Sequence, residues 1–399
     1  MNVVEPKIRG FICTTAHPAG CDSHVRAQIN YIKAQAPLDV APQRVLIIGA
    51  STGFGLASRI AAAFGGGAQT IGVSFERSAN GNRTASAGWY NTAAFEKAAH
   101  EQGLYAKSIN GDAFSDVVKQ QVYDLIAADW DGQVDLVIYS VAAPRRTDPL
   151  TNTTYHSVLK PIGAPFADKT VNVLAGEVST IEIPPASDEE VAHTIAVMGG
   201  DDWSRWIDGL VKNNLLANGV KTVAFTYIGP ELTHAIYRNG TIGRAKEHLE
   251  HTALAIQDKL TGIEGQALIS VNKALVTQSS AAIPVVPLYI SLLYRVMKSK
   301  GIHEGCIEQM WRLFDAKLYG DDRAQDAHGR IRLDDWEMRE DVQADVRALW
   351  QEITSENLAT NADLQGYLDD FYRLFGFNSA DVDYAQPVDL LVPIDSINE

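Results

Sequence analysis

Cysteine is scarce: Cys13, Cys21 and Cys306 are the three in 399 residues. An odd set this small excludes a disulfide framework and points to a reducing compartment, read here as the cytoplasm. Positive charge is short as well. Thirty-four Lys and Arg stand against 49 Asp and Glu, a net charge of −15. That balance excludes a general binder of nucleic acid or anionic membrane, because phosphates repel such a chain unless it carries a local basic patch. The opening MNVVEPKIRG mixes charge with proline and leads into no apolar run, so no signal peptide is expected. Long uncharged stretches are missing with one exception, Ala274 to Tyr294 between Lys273 and Arg295. It is long enough to cross a bilayer. It also holds Thr277, Gln278, Ser279, Ser280, Pro284 and Pro287, whose polar and helix-breaking character is costly in lipid. The stretch reads instead as a buried segment lining an apolar pocket.

What remains is ordinary globular composition, 46% apolar and 21% charged. Residues 44–141 alternate strand and helix. RVLIIGA (44–50), QTIGVSF (69–75), LYAKSIN (104–110) and VDLVIYS (134–140) are short apolar or β-branched runs, hence strands. FGLASRIAAAF (54–64), TAAFEKAAHEQG (92–103) and DVVKQQVYDLIAADW (116–130) are helical between them. Strands separated by helices pair in parallel through right-handed crossovers. Further along, 169–183 reads as a small hairpin, 188–198 and 203–219 as helices, 220–229 as a fifth strand, 244–260 as a helix and 264–275 as a sixth strand. From 283 to 376 only helical periodicity is visible. The predicted architecture is α/β: a doubly wound, mostly parallel Rossmann sheet at 44–282, an N-terminal extension at 1–43 packed on it, and a helical cap at 283–399 within the same compact unit.

The first strand ends in Gly49-Ala50-Ser51-Thr52-Gly53-Phe54-Gly55 and runs into a helix. Glycines there permit a tight turn and let backbone N–H groups approach a pyrophosphate at the positive end of the helix. Spacing alone is weak evidence, but strand, turn, helix and second strand all follow in order. The second strand ends in Phe75-Glu76, 21 residues after Gly55, where an acid bonds a ribose 2′-hydroxyl and repels a 2′-phosphate. NADH is therefore preferred over NADPH, although Arg77 beside it could take a phosphate. Ligands sit at the carboxyl ends of strands, so Asp112-Ala113 and Ser140-Val141-Ala142 should flank the adenine and nicotinamide sides.

Reductases of this fold pair a tyrosine with a lysine that favours its ionised form and binds ribose. The short-chain dehydrogenase spacing Tyr-x3-Lys has no convincing copy here. Tyr237-Arg-Asn-Gly-Thr-Ile-Gly-Arg-Ala-Lys246 is Tyr-x8-Lys. Nine steps along one straight helix turn about 900°, which puts the pair on opposite faces. Asn239-Gly240 is a turn signal, however, and Thr241 is a candidate N-cap. With a break there, Tyr237 and Lys246 can converge. On spacing alone, a packing tyrosine and a solvated lysine account for these residues better.

The Tyr-x8-Lys run, together with RGFICTTAHPAGC (9–21), IGASTGFG (48–55), AKSINGDAFSD (106–116), AVMGGDDW (196–203) and GIHEGCIEQM (301–310), resembles the FabV-type enoyl-acyl-carrier-protein reductases and the related trans-2-enoyl-CoA reductases across nearly the whole chain. The resemblance implies a monomeric NADH-dependent reductase of the enoyl thioester double bond, the last step of the fatty acid elongation cycle, with acyl-carrier protein or coenzyme A as the carrier. It implies Tyr237 as proton donor and Lys246 as a cofactor contact. It implies Gly49, Ala50, Ser51, Thr52, Gly53, Phe54, Phe75, Glu76, Asp112, Ala113, Val141, Ala142, Leu275, Val276 and Thr277 around NADH, and Tyr227 beside the substrate. Some members carry tyrosine where Phe54 stands. The 274–294 stretch would then cover the acyl chain, and Lys273 is a second cation near the site or a solvated helix-end residue.

Other signals count for less. Cys13, His17, Cys21 and His24 could seat zinc, but their spacing is tight for tetrahedral closure and the family resemblance carries no metal. His248 and His251 read as a solvated face. Asp321, Asp322 and Asp326 lack the pattern of a calcium loop. Trp203, Trp206, Trp311 and Trp336 read as core. Arg145, Arg146 and Lys160 form a candidate basic patch for an acidic carrier. A carbonyl reductase with Tyr-x3-Lys, and an NADH sensor without a catalytic tyrosine, are the competing functions.

Overall fold

The chain alternates short apolar strands with amphipathic helices, and the computed structural model, which describes residues 1–397, assembles them around one sheet. Its strands are β1 (Arg44–Ile48), β2 (Gln69–Ser74), β3 (Ala106–Asn110), β4 (Val134–Tyr139), β5 (Leu216–Thr226), β6 (Gln266–Val271) and β7 (Arg330–Arg332). They lie in the order β7-β6-β5-β4-β1-β2-β3, every pairing parallel. The order reverses between β1 and β4, which opens a crevice at the carboxyl edge. Both faces are covered, so Val45, Leu46, Ile47 and Ile48 are all buried instead of alternating.

On one face pack α1 (Pro18–Lys33), α2 (Gly53–Ile60, continued by a π-turn at Ala61–Gly65), α3 (Ala87–His100) and α9 (Cys306–Arg312). Small side chains at Ala57, Ala61, Ala62 and Ala63 let α2 and its extension lie close to the strands. On the other face are α4 (Asp116–Asp129), α6 (Asp201–Lys212) and α7 (Thr241–Leu260), with α5 (Asp188–Met198) beside α7. A third core joins α8 (Val286–Ser299), α10 (Glu340–Glu352), α11 (Leu364–Arg373) and the C-terminal segment. Among the described residues, no helix is long and apolar enough to cross a membrane.

Register places the site. Ile48 pairs with Val73 on one side and Tyr139 on the other, and Thr226 pairs with Val271. Gly49, Phe75, Ser140, Tyr227 and Asn272 therefore leave the sheet along one edge. The 169–183 hairpin spans Phe166–Asn172 and Glu177–Ile183. Two further elements lay outside the sequence pattern. Arg145–Thr147 pairs with Thr154–His156, and β7 adds a sheet strand from a region expected to be wholly helical. The three residues Arg330–Arg332 are too few to show a period of two.

Beneath the β4 end, Lys119 of α4 is buried against Asp202 of α6, Nζ to Oδ1 2.7 Å. Tyr139 donates to the other carboxylate oxygen at 3.1 Å, and Lys119 also donates to the Ala113 carbonyl at 2.7 Å. Burial raises the Asp202 pKa and lowers that of Lys119, while each opposes the shift in the other. Lys119→Met would leave an unmatched buried carboxylate and is expected to lower the unfolding free energy by about 3–5 kcal/mol, measured as a lower urea midpoint.

Candidate active site

The glycine turn is built by close approach. Gly49 has φ 89°, and a Cβ there would stand 2.1 Å from the Ser140 carbonyl oxygen. A Cβ on Gly55 would stand 1.8 Å from the Gly49 oxygen. Larger residues at either point would push β1, β4 and α2 apart. Thr52 is the N-cap of α2 without a side-chain cap bond, and the first helical bond comes only at Leu56 N to Thr52 O, 3.2 Å. The amides ahead of it, at Gly53, Phe54 and Gly55, remain to meet an anion. Ala50 is buried, and Gly53 faces the Thr277 methyl 3.8 Å from its would-be Cβ.

Glu76 is held on every side. Ser51 Oγ donates to one carboxylate oxygen at 2.6 Å and Ser86 Oγ to the other at 2.5 Å. Asn110 clamps its backbone, accepting from Glu76 N at 2.7 Å and donating to its carbonyl at 2.8 Å. The carboxylate lies over Gly88, where a Cβ would stand 2.0 Å from Oε1, in the first turn of α3. Each oxygen keeps a lone pair for a hydroxyl, and their charge disfavours a phosphate. Arg77 reaches along its own loop to the Thr84 carbonyl, 3.4 Å. Phe75 is 74% exposed and offers an aromatic face beside the crevice. Asp112 accepts from Phe114 N at 3.0 Å, while the Ala113 carbonyl accepts from Lys119 and, at 3.2 Å, from Trp206. Val141 is half-buried and Ala142 exposed beyond β4.

Tyr237 and Lys246 stand on different elements. The segment after the short helix Glu231–His234 turns at Tyr237–Asn239, and α7 starts at Thr241 with Gly240 as N-cap. Thr241 is therefore not the cap expected. Its hydroxyl donates to the Val158 carbonyl at 2.5 Å, which fixes the helix start to a neighbouring loop. Lys246 Nζ reaches the Phe225 carbonyl at 3.3 Å. The Tyr237 ring meets the Tyr227 ring edge-on, centroids 5.1 Å apart. Phe225 and Tyr227 are two residues apart at the carboxyl end of β5, so phenol and ammonium converge there. Burial pushes the Tyr237 phenol up and the Lys246 ammonium down to about 8, with Glu250 opposing the latter shift. The Tyr237 hydroxyl has no partner among the described residues, yet it is not among the sealed polar atoms that lack one.

The third wall follows β6. Lys273 is buried, not solvated: Nζ donates to the Ala274 carbonyl at 3.0 Å and lies 5.1 Å from the Tyr294 ring centre. Burial lowers its pKa to about 8. Leu275 and Val276 are buried, and Thr277 and Ser280 bond each other in a turn closed by Ser280 Oγ to Leu275 O, 2.6 Å. The 274–294 stretch then enters α8, whose Leu288, Tyr289, Ile290 and Leu292 are fully buried. Val285, just before α8, has φ 74°, a conformation costing about 1–3 kcal/mol for a β-branched residue. Phe54 packs edge-on to Phe225, centroids 6.0 Å apart.

Sequence reasoning missed Ser86 and Asn110, which hold Glu76, and Glu337, which accepts from Tyr227 at 3.0 Å. No local signal marks them: Glu337 sits in the charged run DDWEMRED, which reads as a solvated face. The basic patch does not form as a set. Arg146 is buried with Nη1 on the Ala196 carbonyl at 2.8 Å, and Lys160 is paired with Glu190 at 2.5 Å, leaving Arg145 exposed. Trp336 is 36% exposed beneath the Arg312 guanidinium and is not core. His248 is not merely solvated, since its Nδ1 accepts from Gly200 N at 3.1 Å. His17 serves as the N-cap of α1, its Nδ1 accepting from Gly20 N at 3.2 Å.

Known proteins resemble this chain in sequence and fold. The family description "Trans-2-enoyl-CoA reductase catalytic region" matches residues 83–319, and "NAD(P)H binding domain of trans-2-enoyl-CoA reductase" matches 3–81. Residues 325–388 match "Enoyl reductase FAD binding domain". The residues there do not fit a flavin. They supply one three-residue strand and then helices, and Gly366 and Gly376 are packed against Asp363, Lys298 and the His17 carbonyl instead of a ligand space. An enoyl-[acyl-carrier-protein] reductase [NADH] of Coxiella burnetii is 65% identical over 397 residues, covering 99% of this chain and 98% of that protein. One from Flavobacterium johnsoniae is 61% identical over 396 residues, covering 99% and 100%. The trans-2-enoyl-CoA reductase of Clostridium acetobutulicum, solved in complex with NADH, superposes with a TM-score of 0.95 at 44% identity, covering 98% of this chain and 100% of that one. The Treponema denticola reductase in complex with NAD gives 0.92 at 49% identity over both full chains. A glycine turn, a clamped acid after the second strand and a broken Tyr-x8-Lys segment thus sit in a chain that belongs to the trans-2-enoyl-CoA reductase family, in company with the enoyl-[acyl-carrier-protein] reductases [NADH].

Proposed function

We propose that this chain reduces the trans-2 double bond of an enoyl thioester with NADH. The observation that carries the reading is the meeting of an unpartnered phenol, Tyr237, and a buried ammonium, Lys246, at the end of β5 in a nucleotide fold. A non-catalytic sensor would have no use for that convergence, and a carbonyl reductase of the short-chain type would reach it by Tyr-x3-Lys on one helix, a spacing with no convincing copy here.

The turn Gly49–Phe54, with Phe75, Glu76, Asp112, Ala113, Val141, Ala142, Leu275, Val276 and Thr277 around the crevice, would hold NADH, and Lys246 would donate to its nicotinamide ribose. NADH, when bound, supplies hydride to the β-carbon. Negative charge then gathers on the thioester oxygen. Tyr237 stabilises that oxygen with its hydroxyl and delivers the proton. Tyr227 stands beside the substrate. Leu275, Val276 and α8 exclude water from the acyl chain, which strengthens the hydrogen bond to the enolate oxygen. We read residues 44–282 as the cofactor-binding core, 1–43 as its extension and 283–399 as the cap. We further infer a cytoplasmic monomer that takes its substrate on acyl-carrier protein, coenzyme A or both.

The purified chain, mixed with NADH and crotonyl-CoA, is expected to consume NADH only when the thioester is present, followed as loss of absorbance of the reduced cofactor. Tyr237→Phe should keep NADH affinity and lose about 10²–10⁴-fold in kcat. Near-wild-type turnover in that variant removes Tyr237 from the chemistry.

pH supplies a separate check. Lys246 carries its charge below its pKa of about 8 and loses it above. Since kcat/KM reports the free enzyme, kcat/KM for NADH is expected to fall about tenfold per unit above that pH. Lys246→Arg, charged throughout, should flatten this limb. A limb that persists in the arginine variant assigns the titration to another group.

A further inference from the structure

One carboxylate touches three walls of the site at once. Glu337 lies in the turn between β7 and α10 and is fully buried. Its Oε1 accepts from the Tyr227 hydroxyl at 3.0 Å and from the Tyr289 hydroxyl at 2.7 Å. Its Oε2 accepts from Ala274 N at 2.7 Å. Gln343 braces the array, donating to the Tyr289 hydroxyl at 3.1 Å and to the Glu337 carbonyl at 2.7 Å. Lys273 supplies the opposite charge at the same residue: its Nζ donates to the Ala274 carbonyl. Ala274 thus carries a carboxylate on its N–H and an ammonium on its C=O, in two successive peptide groups. Leu275–Thr277 follows directly.

Burial raises the Glu337 pKa, while Lys273, the Ala274 amide and the Tyr289 hydroxyl oppose that shift. In its ionised form the carboxylate accepts and cannot donate, so both phenols give their protons to it. The Tyr227 proton is therefore engaged, and that hydroxyl has only lone pairs to offer a ligand. The neighbouring phenol of Tyr237 has no acceptor among the described residues. Two tyrosines in edge contact are made chemically unequal by one distant acid. Burying that acid carries a desolvation cost that apolar packing would avoid, so its role is to be sought in what it holds.

We propose that Glu337 is a positioning residue of this reductase: it turns the Tyr227 proton away from the substrate, so that Tyr237 alone of the two phenols donates. This rests on the reductase reading given above, and extends it from the catalytic pair to the cap.

Glu337→Gln keeps shape but replaces one acceptor oxygen with a donor, which frees the Tyr227 proton. The variant is expected to keep NADH affinity and to lose about tenfold or more in kcat/KM for crotonyl-CoA. The same substitution in a Tyr227→Phe background should cost little further, because the hydroxyl through which it acts is gone. Equal losses in both backgrounds would make Glu337 merely structural and overturn the proposal, as would no loss in either. Tyr227→Phe supplies a second test that does not depend on how the Gln variant folds. It should retain the wild-type solvent deuterium effect on kcat, since the donor is elsewhere. Disappearance of that effect would make Tyr227 a donor and overturn the proposal. A wild-type chain inert towards enoyl thioesters would instead remove the reductase reading, an outcome distinct from an active enzyme indifferent to position 337.

Discussion

The site depends on a chain reversal between Arg238 and Gly243. The Tyr237 carbonyl accepts from two amides at once, Gly240 N at 3.1 Å and Gly243 N at 3.0 Å. A Cβ on Gly243 would stand 1.8 Å from the Arg238 oxygen, so the reversal closes only around glycine. A straight helix through these residues would set the phenol and the ammonium about 900° of turn apart, on opposite faces. The tight loop lets the phenol stay outside α7 while Lys246 rides in its second turn. The short-chain spacing obtains a shared face from one unbroken helix. Here a phenol and an ammonium are brought together from two pieces, and the glycines take the part that helical periodicity plays elsewhere.

That reversal would be of no use without the level at which the strands end. Parallel pairing aligns β1, β2 and β4 so that Gly49, Phe75 and Ser140 emerge together, and β5 and β6 run on to Thr226 and Val271. Phe225 and Tyr227 therefore project to the place where the crevice opens. A shift of one residue in β5 would move the Phe225 carbonyl from Lys246 and turn Tyr227 to the opposite face of the strand.

Much of the core was legible because it rests on local pattern. Buried strands between amphipathic helices announce a doubly wound sheet, and a glycine turn followed by an acid at the second strand end announces a nucleotide crevice. What was not legible depends on partners far away in sequence. Glu337 bonds Tyr227 across 110 positions and Ala274 across 63, so its surroundings in the chain describe a solvated acid while its surroundings in space are a closed hydrogen-bond array. Lys273 was ambiguous for the same reason, and tertiary packing buries it. Arg146 and Lys160 looked like a cationic surface because sequence counts charge and cannot see that the Ala196 carbonyl and Glu190 already hold them. Strand β7 escaped because three residues carry no period.

Three buried lysines stand near the ends of three adjacent strands, and their partners differ in a way that bears on function. Lys119 has Asp202, which also holds Tyr139 at the end of β4. Lys273 and Glu337 both bond the backbone of Ala274, beyond the end of β6, one at its C=O and the other at its N–H. Between them, at β5, the Lys246 ammonium bonds one backbone carbonyl among the described residues, while Glu250 is turned to Arg238 and Arg330. A desolvated ammonium with protons to spare is costly unless a ligand meets it. The two matched pairs give rigidity to the strand ends on either side. The unmatched one leaves hydrogen-bonding capacity beside an unpartnered phenol, which is the condition a site needs when its remaining contacts are to be made by cofactor and substrate.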